Sequence, residues 1–316
     1  MRYRAWGGKR VSVLALGSTD FGGKQPEGLA FEFMDTYAAL GGNFIDTARV
    51  YGDFEGKRLG ESEKVIGRWL EKHRRDDFFL STKGAHPDLD RLDVGRLGRA
   101  DIEYDFRHSL ENLRTDCVDI YWLHRDEPDR PVGDILETLN LLVEEGMTRM
   151  VGVSNWTVER IAEMNAWAAG HGLRPLDGDQ PQFSLAKQMV RDDPTLVSVD
   201  AALWRYHAET GLPLVAFSSQ AKGFFTKLHT LGAEGLPDKA RRRFLCPENL
   251  AIYERVLEVC GQTGLTPGAV ALAWLTSQPF PVYPICGASR VEQVEALAEA
   301  GDAVLTEAQR DYLFRF

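Results

Sequence analysis

Three predicted strands each end on an ionisable side chain, and a tyrosine follows the first of them closely. The apolar part of NFIDT ends at Asp46, FFLSTK ends at Lys83, and VDIYWLH ends at His124. Tyr51 lies five positions after Asp46. If the strands are parallel neighbours, their carboxyl ends meet at one rim, where these four side chains would come together.

A carboxylate, an amine, a phenol and an imidazole form a unit that can donate a proton. A buried lysine paired with a carboxylate stays charged, and its charge favours the ionised form of a nearby phenol. Such a tyrosine can act as a general acid, while the imidazole orients a carbonyl group. Each residue alone also has an ordinary structural explanation, as a turn, surface, packing or hydrogen-bonded residue.

The elements that must position these residues alternate between strands and helices along the whole chain. The strand candidates are near-continuous apolar runs, as expected for parallel strands that are covered on both faces. Eight of them, separated by helices, predict an α/β fold of the (β/α)8 TIM-barrel type. The turn LGSTDFGGK is not a G-x-G-x-x-G fingerprint, which disfavours an open doubly wound sheet. The eight runs are VSVLALG, NFIDT, FFLSTK, VDIYWLH, RMVGVSN, GDQPQF, PLVAFSS and FPVYPICG.

The organisation of the chain predicts one domain over residues 1–316, without a linker or a repeat. Two long connections, roughly 86–100 and 220–247, follow strand candidates, so we expect long loops over the C-terminal mouth of the barrel. Thr266 and Pro267 carry the signature of a helix start, with a capping threonine and proline at the first helical position.

Composition narrows the class of protein. The net charge of −10 disfavours binding to nucleic acid or to an anionic membrane surface. The four cysteines are far apart and form no C-x-x-C pair, so a reducing cytoplasmic location is expected. The short apolar run near the N-terminus reads as a first strand rather than as a signal peptide.

Five blocks of the chain resemble, in order, the signature blocks of the aldo-keto reductase superfamily: NFIDTARVYG, GESEKVIGRWL, FFLSTKGAH, VDIYWLHRDEP and VGVSNW. The resemblance extends from the first strand to the last helix. It implies a barrel that binds NADP(H) at its C-terminal mouth and transfers hydride between the nicotinamide and an aldehyde or ketone. It carries the family's catalytic tetrad onto Asp46, Tyr51, Lys83 and His124, with Tyr51 protonating the developing alkoxide.

The resemblance also implies residues that hold the nicotinamide. Ser154, Asn155 and Gln180 match the family's carboxamide-binding positions, although Asn155 alone reads as the cap of a helix that starts near Thr157. Phe217 matches an aromatic residue that stacks on the nicotinamide ring, with a core position as the alternative. Ser218 and the loop after it would lie along the pyrophosphate.

PICGASRVEQVEAL is the candidate site for the adenosine phosphate. Ser289 and Glu292 have the spacing of a capping box, which would open a helix whose N-terminus can bind an anion. Arg290 adds a charged fork, which favours a 2′-phosphate and therefore NADPH over NADH. The alternative is a surface arginine beside an ordinary cap. The remaining cofactor contacts that we expect are Gly287, Gln293 and Thr19.

The sequence leaves the substrate open. The segments GDFEGKRLG and SSQAKGFF at the barrel mouth differ from common forms of the family, and so does the pair Ala296–Leu297. Trp156 and Phe54 are candidate pocket walls, while Trp122 could face the core or a helix. The direction of the reaction and the choice between monomer and homo-oligomer are not predicted.

Two other functions compete with a carbonyl reductase or alcohol dehydrogenase. One is a weakly active relative that uses bound nucleotide as a redox sensor, like the channel-associated β subunits that share this fold. The other is a barrel with metal-dependent hydrolytic chemistry, which is disfavoured because no His-x-His or clustered carboxylate motif ends a strand.

Overall fold

An antiparallel hairpin starts the chain in the computed structural model, which describes residues 1–52, 59–190 and 193–316. The strands β1 (Tyr3–Trp6) and β2 (Lys9–Ser12) are joined by Gly7 and Gly8, whose φ angles of 55° and 77° suit a tight turn. The prediction of one strand over VSVLALG is wrong, because β2 and the first barrel strand β3 (Ala15–Gly17) share that run.

The predicted (β/α)8 barrel is confirmed. Eight strands close into a ring in which every neighbouring pair is parallel, and the last strand pairs with β3. After β3, the barrel strands are β4 (Phe44–Asp46), β5 (Phe79–Gly84), β6 (Val118–Leu123), β7 (Thr148–Ser154), β8 (Gly178–Gln180), β9 (Leu214–Ala216) and β10 (Val282–Cys286).

Helices pack around the barrel. The cap of α10 is confirmed, since Thr266 accepts a hydrogen bond from Ala269 N and Pro267 opens the helix. The helices are α1 (Glu27–Ala39), α2 (Glu61–Leu70), α3 (Arg99–Leu113), α4 (Val132–Glu144), α5 (Val158–His171), α6 (Ala201–Thr210), α7 (Phe224–Leu231), α8 (Asp238–Phe244), α9 (Pro247–Thr263), α10 (Pro267–Thr276), α11 (Val291–Glu295), α12 (Leu297–Asp302) and α13 (Glu307–Leu313).

The two long connections have different structures. The one over residues 86–98 contains turns and no regular element. The one after β9 contains a short 3-10 turn at Ala221–Gly223, followed by α7 and α8. The described helices lack the combination of length and apolar character that is needed to cross a membrane.

The barrel interior is filled by aromatic side chains. Trp6 of the hairpin stacks on Phe79 and Tyr283, each at a centroid distance of 5.0 Å, and so closes the N-terminal end of the barrel. Trp122 also lies inside the barrel, in the same buried cluster as Trp6. A second, larger cluster lies between strands and helices, so both faces of the sheet are buried.

Candidate active site

The carboxyl ends of β4 and β5 bring the predicted acid and amine together. Asp46 is the last residue of β4 and Lys83 the last but one of β5. Lys83 Nζ donates to Asp46 Oδ2 at 2.6 Å and to the backbone oxygen of Thr47 at 2.7 Å. Both charged side chains are 1% exposed, so solvent screens this ion pair very little.

Tyr51 reaches the same place through the turn that follows β4. Arg49 N donates to Lys83 O at 2.8 Å, and Tyr51 N donates to Ala48 O at 3.0 Å. Gly52 then adopts a φ of 117°, a conformation that favours glycine. This path places the Tyr51 ring centroid 4.7 Å from Lys83 Nζ.

His124 follows β6 and faces Tyr51. The two ring centroids are 5.7 Å apart with an interplanar angle of 79°. The imidazole is buried, and its Nδ1 has no hydrogen-bond partner among the described residues. The structure therefore brings the four residues of the predicted tetrad together at one rim of the barrel.

The electrostatics of the site keep the lysine charged and the histidine neutral. Burial lowers the pKa of Lys83. The charge of Asp46 and contacts with Tyr51, including a hydrogen bond, together raise it by more than burial lowers it, so the net shift is upward. The pKa of His124 lies well below its usual value because of burial first and then the neighbouring His86, Arg125 and Lys83.

Sequence reasoning missed His86, which packs against His124. The two ring centroids are 4.8 Å apart at 74°. His86 Nδ1 lies 2.6 Å from the carbonyl oxygen of Pro87, which can only accept a hydrogen bond, so Nδ1 carries the proton. Burial, with Arg125 as the next cause, lowers the pKa of His86 to about 4. The signal was present in the block FFLSTKGAH, three positions after Lys83.

The three predicted carboxamide residues form one hydrogen-bonded patch. Ser154 Oγ donates to Gln180 O at 2.7 Å, and Asn155 Nδ2 donates to Ser154 Oγ at 3.0 Å. The alternative role of Asn155 as a helix cap is wrong, because Thr157 caps α5 by accepting from Arg160 N. Asn155 instead has a φ of 62° and lies beside the predicted tetrad.

Gln180 joins this patch to the ion pair. Its Nε2 donates to Asp46 Oδ1 at 3.1 Å, although the two residues are 134 positions apart. Gln180 is 1% exposed. The predicted nicotinamide patch and the predicted proton-donating unit are therefore in direct contact through a side-chain amide.

The loop after β9 begins at Phe217 and contains three non-glycine residues with positive φ angles. Phe217 is partly exposed and lies outside the buried core clusters, which disfavours its alternative role as a core residue. Ser218, Ala221 and Lys222 have φ angles of 53°, 47° and 58°. Such conformations cost free energy in non-glycine residues and cluster at functional sites.

Lysines surround this loop, a feature that sequence reasoning also missed. The pKa of Lys222 is lowered by desolvation first and then by Lys239, with Lys227 and Lys24 contributing and Asp20 opposing. Lys222, Lys227 and Lys239 belong to the connection after β9, and the fold brings Lys24, from the segment before α1, to them.

The segment after β10 corrects the predicted capping box. Arg290 occupies the N-cap position of α11, and no side chain caps that helix. Gln293, rather than Glu292, reaches back, and its Oε1 accepts from Ser289 N at 2.7 Å and from Ser289 Oγ at 3.1 Å. Arg290 is exposed, beside this closed turn.

Other predicted contacts lie around the same mouth. Gly287 N donates to Gln220 Oε1 at 3.1 Å, which connects the loops after β9 and β10. Thr19 is exposed and accepts a hydrogen bond from Gly52 N at 3.1 Å. Trp156 is fully buried in the core between strands and helices, so its prediction as a pocket wall is wrong. Phe54 lies outside the described residues.

Comparisons with known proteins agree on one family. The model of the aldo/keto reductase family matches residues 13–314. The chain is 30% identical over 304 residues to the uncharacterized oxidoreductase YrpG of Bacillus subtilis (strain 168), covering 93% of this chain and 88% of the relative.

Two fungal relatives have names that mention a reaction. The aryl-alcohol dehydrogenase GME11368 of Pestalotiopsis microspora is 29% identical over 315 residues, covering 94% of this chain and 76% of the relative. The norsolorinic acid reductase B of Aspergillus parasiticus is 27% identical over 317 residues, covering 95% and 79%.

Among solved structures, the crystal structure of the thermostable aldo-keto reductase Tm1743 with the inhibitor epalrestat aligns with a TM-score of 0.72 at 25% identity. The alignment covers 99% of this chain and 98% of that one. Family, relatives and fold together support an oxidoreductase.

Proposed function

Because the chain belongs to the aldo/keto reductase family, we propose that it is an NADP(H)-dependent oxidoreductase that reduces an aldehyde or ketone to an alcohol, or catalyses the reverse reaction. Tyr51 is the general acid in reduction. Asp46 and Lys83 set the charge beside it, and His124 orients the carbonyl oxygen.

The observation that carries this proposal is the use of the three N–H bonds of Lys83. Two of them are donated to Asp46 Oδ2 and to the backbone oxygen of Thr47. The third serves the hydrogen bond to Tyr51. An ammonium group has no lone pair, so Tyr51 Oη accepts from Lys83, and its own proton is left to point away from the lysine.

That proton is the one the reaction needs. A phenol that accepts from a buried ammonium group can release its proton to a developing alkoxide, because the ammonium stabilises the tyrosinate that remains. Neutral His124 lies edge-on to Tyr51, and in this proposal it donates one hydrogen bond to the carbonyl oxygen of the substrate.

The rim residues fit a nicotinamide cofactor. The hydroxyl of Ser154 and the amides of Asn155 and Gln180 provide donors and acceptors suited to a carboxamide, and Phe217 provides an aromatic face. NADPH supplies the hydride when it is bound. The lysines around Lys222 suit a pyrophosphate, and the exposed Arg290 suits a 2′-phosphate, so NADPH is favoured over NADH.

The names of the two fungal relatives suggest where to begin with substrates. Aromatic aldehydes, aryl ketones and the corresponding alcohols come first, and aliphatic aldehydes, sugars and diketones complete the panel. Turnover is followed by the absorbance of NADPH, with NADH in parallel. Tight NADPH binding without turnover of any member would contradict the proposed activity and favour a nucleotide sensor.

Tyr51→Phe tests the role of the phenol. The variant keeps the ring but loses the proton donor, so we expect reduction to fall by a factor of about 10² or more. NADPH binding, measured by fluorescence titration, should change little, because the ring still lies beside Lys83. Near-normal turnover by Tyr51→Phe would exclude Tyr51 as the general acid.

A further inference from the structure

We propose that Ser81 is a positioning residue for the proton-donating unit, and that it acts by holding the carboxylate of Asp46 against Lys83. This inference rests on the function proposed above and goes beyond its four catalytic residues. Ser81 touches neither the substrate nor the cofactor in this proposal, since its hydroxyl acts through Asp46.

The register of the barrel places Ser81 directly beside Asp46. The two residues are Cα partners in the parallel pairing of β4 with β5. Ser81 Oγ donates to Asp46 Oδ1 at 2.7 Å. Both residues are almost completely buried, at 0% and 1% exposure, so water does not replace this hydrogen bond if it is lost.

The two oxygens of Asp46 have separate partners. Oδ2 accepts from Lys83, whereas Oδ1 accepts from Ser81 and from Gln180 Nε2 at 3.1 Å. Asp46 ends β4, and these contacts fix its carboxylate from two other strands, β5 and β8. A hydrogen bond to a charged acceptor contributes more than a neutral one, and the serine contact is the shorter of the two on Oδ1.

Loss of the serine hydroxyl would weaken the hold of Asp46 on Lys83. Oδ1 would keep one amide donor, and the carboxylate could turn away from the ammonium group. Before it loses a proton, the Lys83–Tyr51 pair carries one positive charge, which Asp46 stabilises. A weaker Asp46 contact therefore lets the pair lose its proton at lower pH. The titratable groups that face the pair are Asp46 and His124.

Gln180 is a less informative residue to change than Ser81. It belongs to the proposed carboxamide patch, so its substitution would alter cofactor binding as well as Asp46. The hydroxyl of Ser81 donates to Asp46, and Ser81 is not part of the proposed carboxamide patch. Its substitution therefore changes the contact with Asp46 without changing the cofactor contacts.

Strand β5 offers a matched control in the next residue. Thr82 is also fully buried, but its Oγ1 donates to Glu63 at 2.6 Å. Thr82→Val removes a buried hydroxyl from the same strand without touching Asp46, so it should lower stability and leave the pH profile of reduction in place.

The test compares the pH dependence of kcat/KM for carbonyl reduction in Ser81→Ala, Ser81→Thr and Thr82→Val. For Ser81→Ala we expect kcat/KM to fall about tenfold near neutral pH, corresponding to one lost hydrogen bond to a charged group. The alkaline limb of the pH profile, where kcat/KM falls as the pH rises, should move to lower pH. The affinity for NADPH, measured by fluorescence titration, should stay within about twofold of the wild-type value. Ser81→Thr keeps a hydroxyl and should return the limb to its wild-type position.

The outcomes separate this inference from the function on which it rests. If the wild-type protein reduces no carbonyl compound, the proposed function fails and the role of Ser81 fails with it. If the wild type is active and Ser81→Ala has an unchanged pH profile, the role of Ser81 alone is overturned. It is also overturned if Thr82→Val moves the limb as far as Ser81→Ala does, or if Ser81→Thr leaves it at the Ser81→Ala position.

Discussion

At the scale of single residues, two imidazoles meet at the mouth of the barrel and both stay neutral. The ring centroids of His86 and His124 are 4.8 Å apart, and burial is the first cause that lowers the pKa of each. A charged imidazole here would face Arg125, which opposes protonation of both rings. Their neutrality suits a carbonyl-orienting role for His124, since a neutral ring can donate from one nitrogen without repelling Lys83.

This neutrality predicts a loss of stability in acid. The pKa of His86 falls from 6.5 in the unfolded chain to about 4 in the folded protein, so the unfolded chain binds more protons between these values. Stability therefore rises with pH across this window and falls as the pH drops through it. We expect His86→Gln to reduce the acid-induced loss by about 2 kcal/mol between pH ~7 and pH ~5, measured by urea unfolding.

The control for this prediction is His171→Gln, which changes an exposed histidine at the end of α5. This variant should lose stability in acid as the wild type does. Equal acid sensitivity in all three proteins would show that His86 is not held neutral by the fold.

At the scale of elements, a glycine of β7 lets a tryptophan fill the barrel below the predicted site. A Cβ added to Gly152 on β7 would lie 2.3 Å from Cζ3 of Trp122 and 2.8 Å from the carbonyl oxygen of Gly178. One of these contacts is with backbone, which cannot move aside cheaply. The absence of a side chain at Gly152 is therefore a packing requirement for strands β6 to β8.

Gly152→Ala should destabilise the barrel by about 3 kcal/mol, the upper part of the range for overpacked cores. Urea unfolding with an unchanged slope would measure this loss. Gly170→Ala is the matched control, because a Cβ at this position of α5 meets nothing within 4 Å and should stabilise the helix by about 0.5 kcal/mol. A Gly152→Ala protein as stable as the wild type would contradict the tight packing of Trp122.

The elements also explain which features the sequence could predict. Runs such as FFLSTK and VDIYWLH are apolar on both faces and end on polar residues, so the strands, the barrel and the meeting of Lys83 with His124 follow from local pattern. The split of VSVLALG between two strands could not be predicted from local pattern, because no glycine or proline marks the change of direction. The contact of Gln180 with Asp46 crosses the barrel and depends on its closure, which no local pattern records.

The prediction of a capping box at Ser289 and Glu292 was wrong for a related reason. Ser289 and Glu292 have the required spacing, but the helix starts after Arg290, so the residue that reaches back is Gln293. A shift of one residue in the start of a helix changes which side chain can reach the cap. Spacing alone cannot exclude such a shift, since serine and arginine both tolerate the extended backbone of an N-cap position.

At the scale of the whole molecule, a cluster of positive charges lies on a chain whose net charge is negative. The net charge is −10, yet Lys222 lies among Lys24, Lys227 and Lys239 beside the loop proposed to follow the pyrophosphate. An anionic cofactor would be repelled by the chain as a whole and attracted by this cluster. Because Lys24, Lys222 and Lys239 are exposed, salt should screen this attraction.

Lys222→Gln should therefore weaken NADPH binding about fivefold at low ionic strength, with a smaller difference at high salt. Fluorescence titration at several salt concentrations measures both effects. Lys72→Gln makes the same change in net charge, but Lys72 follows α2 near the N-terminal end of the barrel, so its affinity for NADPH should match the wild type. If Lys72→Gln and Lys222→Gln weaken binding equally, the net charge of the molecule, and not the lysines around the loop, governs attraction of the cofactor.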